Sequence, residues 1–222
     1  MVARAAGGDL DPAQVHARIA EYYTQKVKAF GSTPLGVDWT CQPTQEMRFV
    51  QLLKLCDFSA PFSINDLGCG YGALAAFMHR RHGACAVDYL GIDLSGEMVR
   101  RARRRYRMHG GTRFATGSAS PRAADYSVAS GIFNVQLDVS AADWDAFITT
   151  TLQHLAATSQ RGFAVNFVAA PPDGQRVKRG LYTTPPGRWV EYCANQIGAD
   201  VQLIDGYGMH EFSLLVRRRP AA

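Results

Sequence analysis

No stretch of this 222-residue chain approaches the run of apolar residues that a membrane-spanning helix needs, roughly 18–20 in a row. No membrane segment is therefore expected. The opening MVARAAGGDL carries no apolar core of the kind found in a secretory signal, and its first residues read as a loose tail. Disulfide chemistry has little to work with. Cys41, Cys56, Cys69, Cys85 and Cys193 are odd in number and include no CxxC pair. That pattern argues against a disulfide framework or a cysteine zinc site and suits a reducing cytoplasm. HxH, HExxH and carboxylate–histidine groupings with metal-ligand spacing are missing too, so no metal is expected. Internal repeats and extended low-complexity segments are lacking as well.

What is present suffices for one domain with a substantial core, at 47% hydrophobic and 19% charged residues. The net charge of +5 owes much to VRRARRRYR, which includes Arg100 to Arg107. Such a run is either an arginine-rich solvated helix face or a phosphate-binding one.

Asp11-Pro12 reads as a helix cap followed by proline at the first helical position. Val15, Ile19, Tyr22, Tyr23, Val27 and Phe30 then recur at helical spacing up to Gly31. A second helix is expected from about Pro43. After it, strands and helices alternate: FSINDL, AVDYLGID, TRFATG, DYSVASGIF and GFAVNFVA read as strands, with helical segments between most of them. SAADWDAFITTTLQHLAATS is a long helix capped by Ser140, and PPGRWVEYCANQIG another. ADVQLID and HEFSLLVRR close the chain. The short GYGM between them cannot make a crossover, so these two strands should be antiparallel. The fold class is α/β: a doubly wound sheet of seven strands, with the last one reversed.

The first strand runs into INDLGCGYGAL. A glycine turn between a strand and a helix offers backbone N–H groups to an anion. A triphosphate loop would need GxxxxGK[ST], and no lysine follows. The dinucleotide fingerprint is GxGxxG, whereas Gly68, Gly70 and Gly72 are spaced GxGxG, with Ala73 where the last glycine would fall. Taken alone, the loop is ambiguous. Asp93 ends the next strand, where an acid can accept from both ribose hydroxyls. Gly117-Ser118 ends the third strand and could meet an adenine edge. The two preceding helices and the reversed last strand are unlike a nicotinamide fold.

With NDLGCGYG, YLGIDLSGEM, FATGS, DYSVASGIFNV and EFSLLVRR in place, the chain resembles the class I (Rossmann-like) S-adenosylmethionine-dependent methyltransferases over residues 60–220. The resemblance implies sheet order 3-2-1-4-5-7-6, with strand 7 antiparallel. It also implies a catalytic core at 60–222 and an N-terminal helical lid at 1–59. S-adenosyl-L-methionine would be the cofactor and S-adenosyl-L-homocysteine its product. Gly68 and Gly70 would let the backbone approach the methionine part, and Asp66 would lie near its ammonium group. Asp93 would hold the ribose. Leu94 and Met98 would pack on adenine, and Ser118 would meet its amino group. Ser130 would line the cofactor beside Gly131. Tyr23 would belong to the cofactor wall, and Arg48 or Gln45 would hold the cofactor carboxylate. Phe133, Trp39, Tyr182 and Tyr207 are the candidates for the acceptor pocket. Asn134, Tyr22 and His210 are the candidate catalytic residues.

Each assignment has a plainer rival. Asp66 could cap a turn, Asp93 a helix, and Met98 could sit in the core. Tyr22 and Tyr23 could pack internally, and Arg48 could be surface. Asn134 could stabilise its loop, and His210 could lie in a solvated one.

SGIFNV replaces the DPPY- or NPPY-like motif that would point to nucleobase or glutamine nitrogen. The preferred activity is methyl transfer to a small-molecule N or O acceptor, such as a secondary metabolite, by direct displacement. The alternatives are an RNA methyltransferase that uses the Arg100–Arg107 helix on nucleic acid, a catalytically silent cofactor-binding partner, and a nicotinamide oxidoreductase. The sequence leaves the acceptor, the methylated atom and the oligomeric state open.

Overall fold

Asp11 caps α1 (Pro12–Phe30): its side chain accepts from the Ala13 N–H, Gln14 reaches back to the cap backbone, and Pro12 opens the first turn. Gly31, at φ 71°, ends the helix in a conformation that a Cβ disfavours. A 3₁₀ turn (Pro34–Val37) leads to α2 (Gln42–Leu53). The structure is a computed structural model that describes residues 10–171 and 179–219. The expected N-terminal tail therefore lies outside the described residues.

The sheet follows as β1 (Phe62–Leu67), β2 (Val87–Asp93), β3 (Thr112–Thr116), β4 (Ala124–Ala129), β5 (Ser159–Val168), β6 (Asp200–Ile204) and β7 (Glu211–Arg217). Between them lie α3 (Ala73–His82), α4 (Gly96–Tyr106), α5 (Ala141–Ala157) and α6 (Pro186–Glu191). The strand order is β3-β2-β1-β4-β5-β7-β6. β1 to β5 pair in parallel, and β7 runs antiparallel to both β5 and β6. This is the doubly wound sheet expected of the sequence.

Neighbouring strand residues face opposite sides, and the core divides accordingly. Phe163, Val165 and Leu214 pack with Trp144, Ile148 and Leu152 of α5 and with Val15 and Ile19 of α1. Ala164, Leu215 and Val128 face the other way, toward Phe49 and Leu52 of α2, Leu74 and Phe77 of α3, and Val99 and Ala102 of α4. Because both faces are covered, the central strands read as nearly continuous apolar runs.

Two boundaries differ from expectation. β4 stops at Ala129, not within GIF, because Gly131 (φ 77°) turns the chain out of extended geometry. The helix expected over PPGRWVEYCANQIG is α-helical only to Glu191 and continues as a π-helical turn, Tyr192–Gln196.

The chain reverses direction across the sheet between β1 and β4, which are neighbours. Open α/β sheets form their ligand crevice at the carboxyl ends of the strands beside such a switch point.

Candidate active site

Asp66 lies on β1 and is 2% exposed. The Tyr89 hydroxyl donates to its Oδ2. Burial pushes the Asp66 carboxyl up to about 7; Tyr89 opposes that rise, and the nearby Asp93 charge adds to it. At the end of β2, Asp93 Oδ2 accepts the Gly70 N–H and Oδ1 accepts the Ser95 N–H, both at 2.8 Å. Burial holds the Asp93 carboxyl up at about 6 against the pull of those two bonds. Asp93 does not cap α4. Ser95 does, with its Oγ accepting the Met98 N–H.

The glycine turn is organised differently from a free anion cradle. The N–H groups of Gly68 and Cys69 donate to the Ile92 carbonyl at 2.7 and 3.0 Å, and that of Gly70 to Asp93. These donors tie the loop to β2. Gly68 (φ 77°) is also sterically required, since a Cβ there would stand 2.2 Å from Ile132 Cγ2.

The turn opens into a cleft with about 960 Å³ of atom-free space, counting its mouth. Asp66, Gly68, Gly70, Asp93, Leu94 and Met98 form its floor. Gly117 and Ser118 follow β3, Ser130 to Ile132 follow β4, and Phe147 and Thr151 project from α5. The N-terminal helices supply the remaining wall: His16, Ile19, Ala20 and Tyr23 from α1, Val37 and Trp39 from the connection, and Gln45 and Phe49 from α2. Ser130 Oγ is buried without a hydrogen-bond partner.

The structure thus gathers nearly all the expected cofactor residues at one cleft, together with Trp39. The others lie elsewhere. Tyr22 turns away and donates to Asp38 Oδ2 at 2.5 Å. Arg48 is 6% exposed and neither surface nor cleft lining: it forms a bidentate pair with Glu211 and donates to the Thr44 carbonyl. Phe133 is fully buried and stacks on Phe167 at 5.0 Å, a core position created where the chain folds back after β4. Tyr182 is also buried, its hydroxyl accepting from the Trp189 indole N–H at 3.2 Å. Tyr207 pairs with Ser213 outside the cleft, and His210 is exposed in the β6–β7 loop. Asn134 is 4% exposed with neither amide atom bonded, and it does not line the cleft.

Several cleft residues escaped the sequence reading: His16, Cys69, Tyr71, Phe147 and Thr151. His16 shares a helical stripe with Ile19, Ala20 and Tyr23, at spacings of three, four and seven, which could have pointed to it. Its imidazole packs edge-on against Phe147 at 5.8 Å, and burial lowers its pKa, favouring the neutral form. A neutral imidazole can accept a hydrogen bond or a proton.

The arginines of α4 are partly committed. Arg100 and Arg101 pair with Glu97, and Arg103 donates to the Phe114 carbonyl. Arg104, Arg105 and Arg107 are exposed.

A methyltransferase-domain profile matches residues 64–161, which span the glycine turn, Asp93 and β4. A Mycobacterium tuberculosis protein named as a methyltransferase is 41% identical over 166 residues, covering 75% of this chain and 99% of its own. The chain belongs to the methyltransferases. Solved structures share the fold of this methyltransferase. The DhpI complex with S-adenosylhomocysteine superposes with a TM-score of 0.63 at 14% identity, covering 95% of this chain and 100% of that one. Phosphoethanolamine N-methyltransferase 1 of Haemonchus contortus, bound to phosphoethanolamine and S-adenosylhomocysteine, gives 0.68 at 13% identity, covering 95% of this methyltransferase and 50% of that chain. Among the described residues, no helix of the methyltransferase is long and apolar enough to cross a membrane.

Proposed function

We propose that this methyltransferase acts in the cytoplasm on a small-molecule N or O acceptor, with residues 1–59 serving as a lid over a catalytic core at 60–222. The observation that carries the reading is the cleft itself. It opens at the β1/β4 switch point and is walled by α1, Trp39 and α2. That enclosure suits a compact acceptor. The phosphoethanolamine enzyme, which shares the fold, takes a small acceptor.

The residues fit S-adenosylmethionine. Each Asp93 oxygen accepts one backbone N–H and retains a lone pair, so one carboxylate can accept from both hydroxyls of a ribose. Asp66, buried and near Asp93, would face the ammonium group. Gly68 and Gly70 leave room for the methionine part, and Gln45, which accepts the Tyr71 hydroxyl at 3.2 Å, closes that end. Leu94, Met98 and Ser118 would bound the adenine. The unpartnered Ser130 Oγ offers a hydrogen bond inside the cleft.

The cofactor, when bound, supplies a methyl group on an already activated sulfonium leaving group. The protein's work is then alignment and exclusion of water. Ile19, Phe147, Ile132 and Trp39 supply apolar walls, and His16 places an imidazole among them.

Titration calorimetry with S-adenosylhomocysteine, followed by methyl transfer to acceptor panels, tests the reading. Saturable binding and transfer to a small acceptor are expected. Binding without turnover on any acceptor would favour the silent-partner alternative, and stabilisation by NAD(P) instead would overturn the cofactor assignment.

A further inference from the structure

Trp39 is held by more contacts than a loop residue needs. The Arg48 guanidinium carbon lies 3.6 Å from its ring centroid, a stacking distance. The six-membered edge of the same ring closes on Gly131, where a Cβ would approach Cζ2 to 2.3 Å.

Arg48 is fixed in turn. Its Nε donates to Glu211 Oε2 at 2.7 Å, its Nη2 to Oε1, and its Nη1 to the Thr44 carbonyl at 2.6 Å. Glu211 Oε2 also accepts from Asn166 Nδ2 at 2.9 Å. Asn166 Oδ1 then accepts the Gly131 N–H at 2.8 Å, which closes a ring of contacts back to Trp39. Arg48, Glu211 and Asn166 are 6%, 7% and 0% exposed.

The backbone is pinned as well. Trp39 N–H donates to the Pro34 carbonyl at 2.9 Å. Asp38, in left-handed geometry at φ 60°, is gripped by Tyr22 at 2.5 Å and Lys26 at 2.6 Å.

A buried ion pair is a poor route to stability, because apolar residues of similar volume often do as well. What an Arg–carboxylate fork provides is direction: a planar group with fixed orientation. Here that plane is spent on an indole at the wall of the cleft. We propose that Arg48, Glu211 and Asn166 are positioning residues that hold Trp39 against Gly131 as a rigid wall of the cleft. Tyr22 and Lys26 fix the same wall from the backbone. The proposal rests on the methyltransferase reading of the cleft and assigns a role to residues outside it.

Tryptophan fluorescence tests it, because Trp144 and Trp189 are 0% and 2% exposed whereas Trp39 is partly exposed. Acrylamide quenching is measured on the wild type, Trp39→Phe, Arg48→Met, Arg48→Lys and Gly131→Ala, with the S-adenosylhomocysteine affinity of each taken by calorimetry. Trp39→Phe should remove most of the quenchable signal. Arg48→Met should steepen the quenching slope and shift the emission to the red. Arg48→Lys should do the same, because lysine keeps the charge toward Glu211 and loses the planar stack. Rescue by lysine would reduce the pair to an ordinary structural ion pair and overturn the proposal. If Arg48→Met does not fold, Gly131→Ala still decides: it leaves the ion pair intact and must loosen the indole, so unchanged quenching there refutes the wall. Absence of S-adenosylhomocysteine binding in the wild type would instead sink the cofactor reading, a separate failure.

Discussion

Replacing Asp93 by asparagine changes one atom and should remove most of the cofactor's grip. Both carboxylate oxygens already accept a backbone N–H, from Gly70 and Ser95. An amide must present its NH₂ to one of those donors, so a hydrogen bond is lost even before ligand arrives. Each charge-assisted bond to a ribose hydroxyl contributes about 1.5–3 kcal/mol. Loss of one to two of them corresponds to roughly 10- to 10⁴-fold weaker binding of S-adenosylhomocysteine.

The pH dependence sharpens the prediction. In the ligand-free protein the Asp93 carboxyl is held up at about 6, and two hydroxyl donors favour its ionised form. Binding below that pH must therefore release a proton. Wild-type affinity should fall as pH drops through 6, by up to about tenfold per unit. In Asp93→Asn that fall should vanish, except for a residue owed to Asp66, near 7. Calorimetry between pH 5 and 8 in buffers of different ionisation enthalpy reads affinity and proton release together. Wild-type affinity in the asparagine variant, or a flat wild-type profile, would refute the reasoning.

Other outcomes follow from the same site. Asp66 and Asp93 have folded-state pKa values raised above the unfolded one, so stability of the ligand-free protein should decline as pH climbs from the unfolded carboxylate range, about 4, to the folded values of about 6 and 7, and level off above them. Asp66→Asn should flatten that decline in a melting series, and a decline left unaltered counts against it. Tyr89→Phe strips the buried Asp66 carboxyl of its donor and should cost about 1–3 kcal/mol in denaturant unfolding. Gly68→Ala must accommodate a Cβ facing Ile132 at positive φ, and should lower both stability, by about 1–3 kcal/mol, and ligand affinity. His210→Ala should change neither turnover nor stability beyond about 0.5 kcal/mol, because the residue is exposed and outside the cleft. A gel-shift salt series should find no tight RNA binding; a steep salt slope would revive the Arg104, Arg105 and Arg107 face as a phosphate-binding surface.

The sheet was legible because its signals are local. Asp11 and Ser140 stand at helix starts, Gly31 at a stop, and apolar runs mark strands covered on both faces. The gathering of Asp66, Asp93, Ser118 and Ser130 at one cleft was legible for a related reason: they sit at or just beyond strand ends, where a parallel sheet necessarily brings them together. The residues that went astray are those whose surroundings come from distant segments. Nothing near Arg48 announces that Glu211, 163 positions later, will claim it. Phe133 looked like a pocket residue until Phe167 of β5 closed on it. Tyr22 and Tyr23 are adjacent on one helix, yet only Tyr23 turns to the cleft, a rotation that apolar spacing alone does not resolve. His16 was overlooked because one polar residue in an amphipathic helix carries no sign of what it faces.

The most direct test of the account is the structure of crystals soaked with S-adenosylhomocysteine. The ligand should lie along the carboxyl edge of β1, β2 and β4, with its ribose hydroxyls on Asp93 and its amino group toward Asp66. A ligand bound elsewhere, or a cleft that stays empty, would contradict the account.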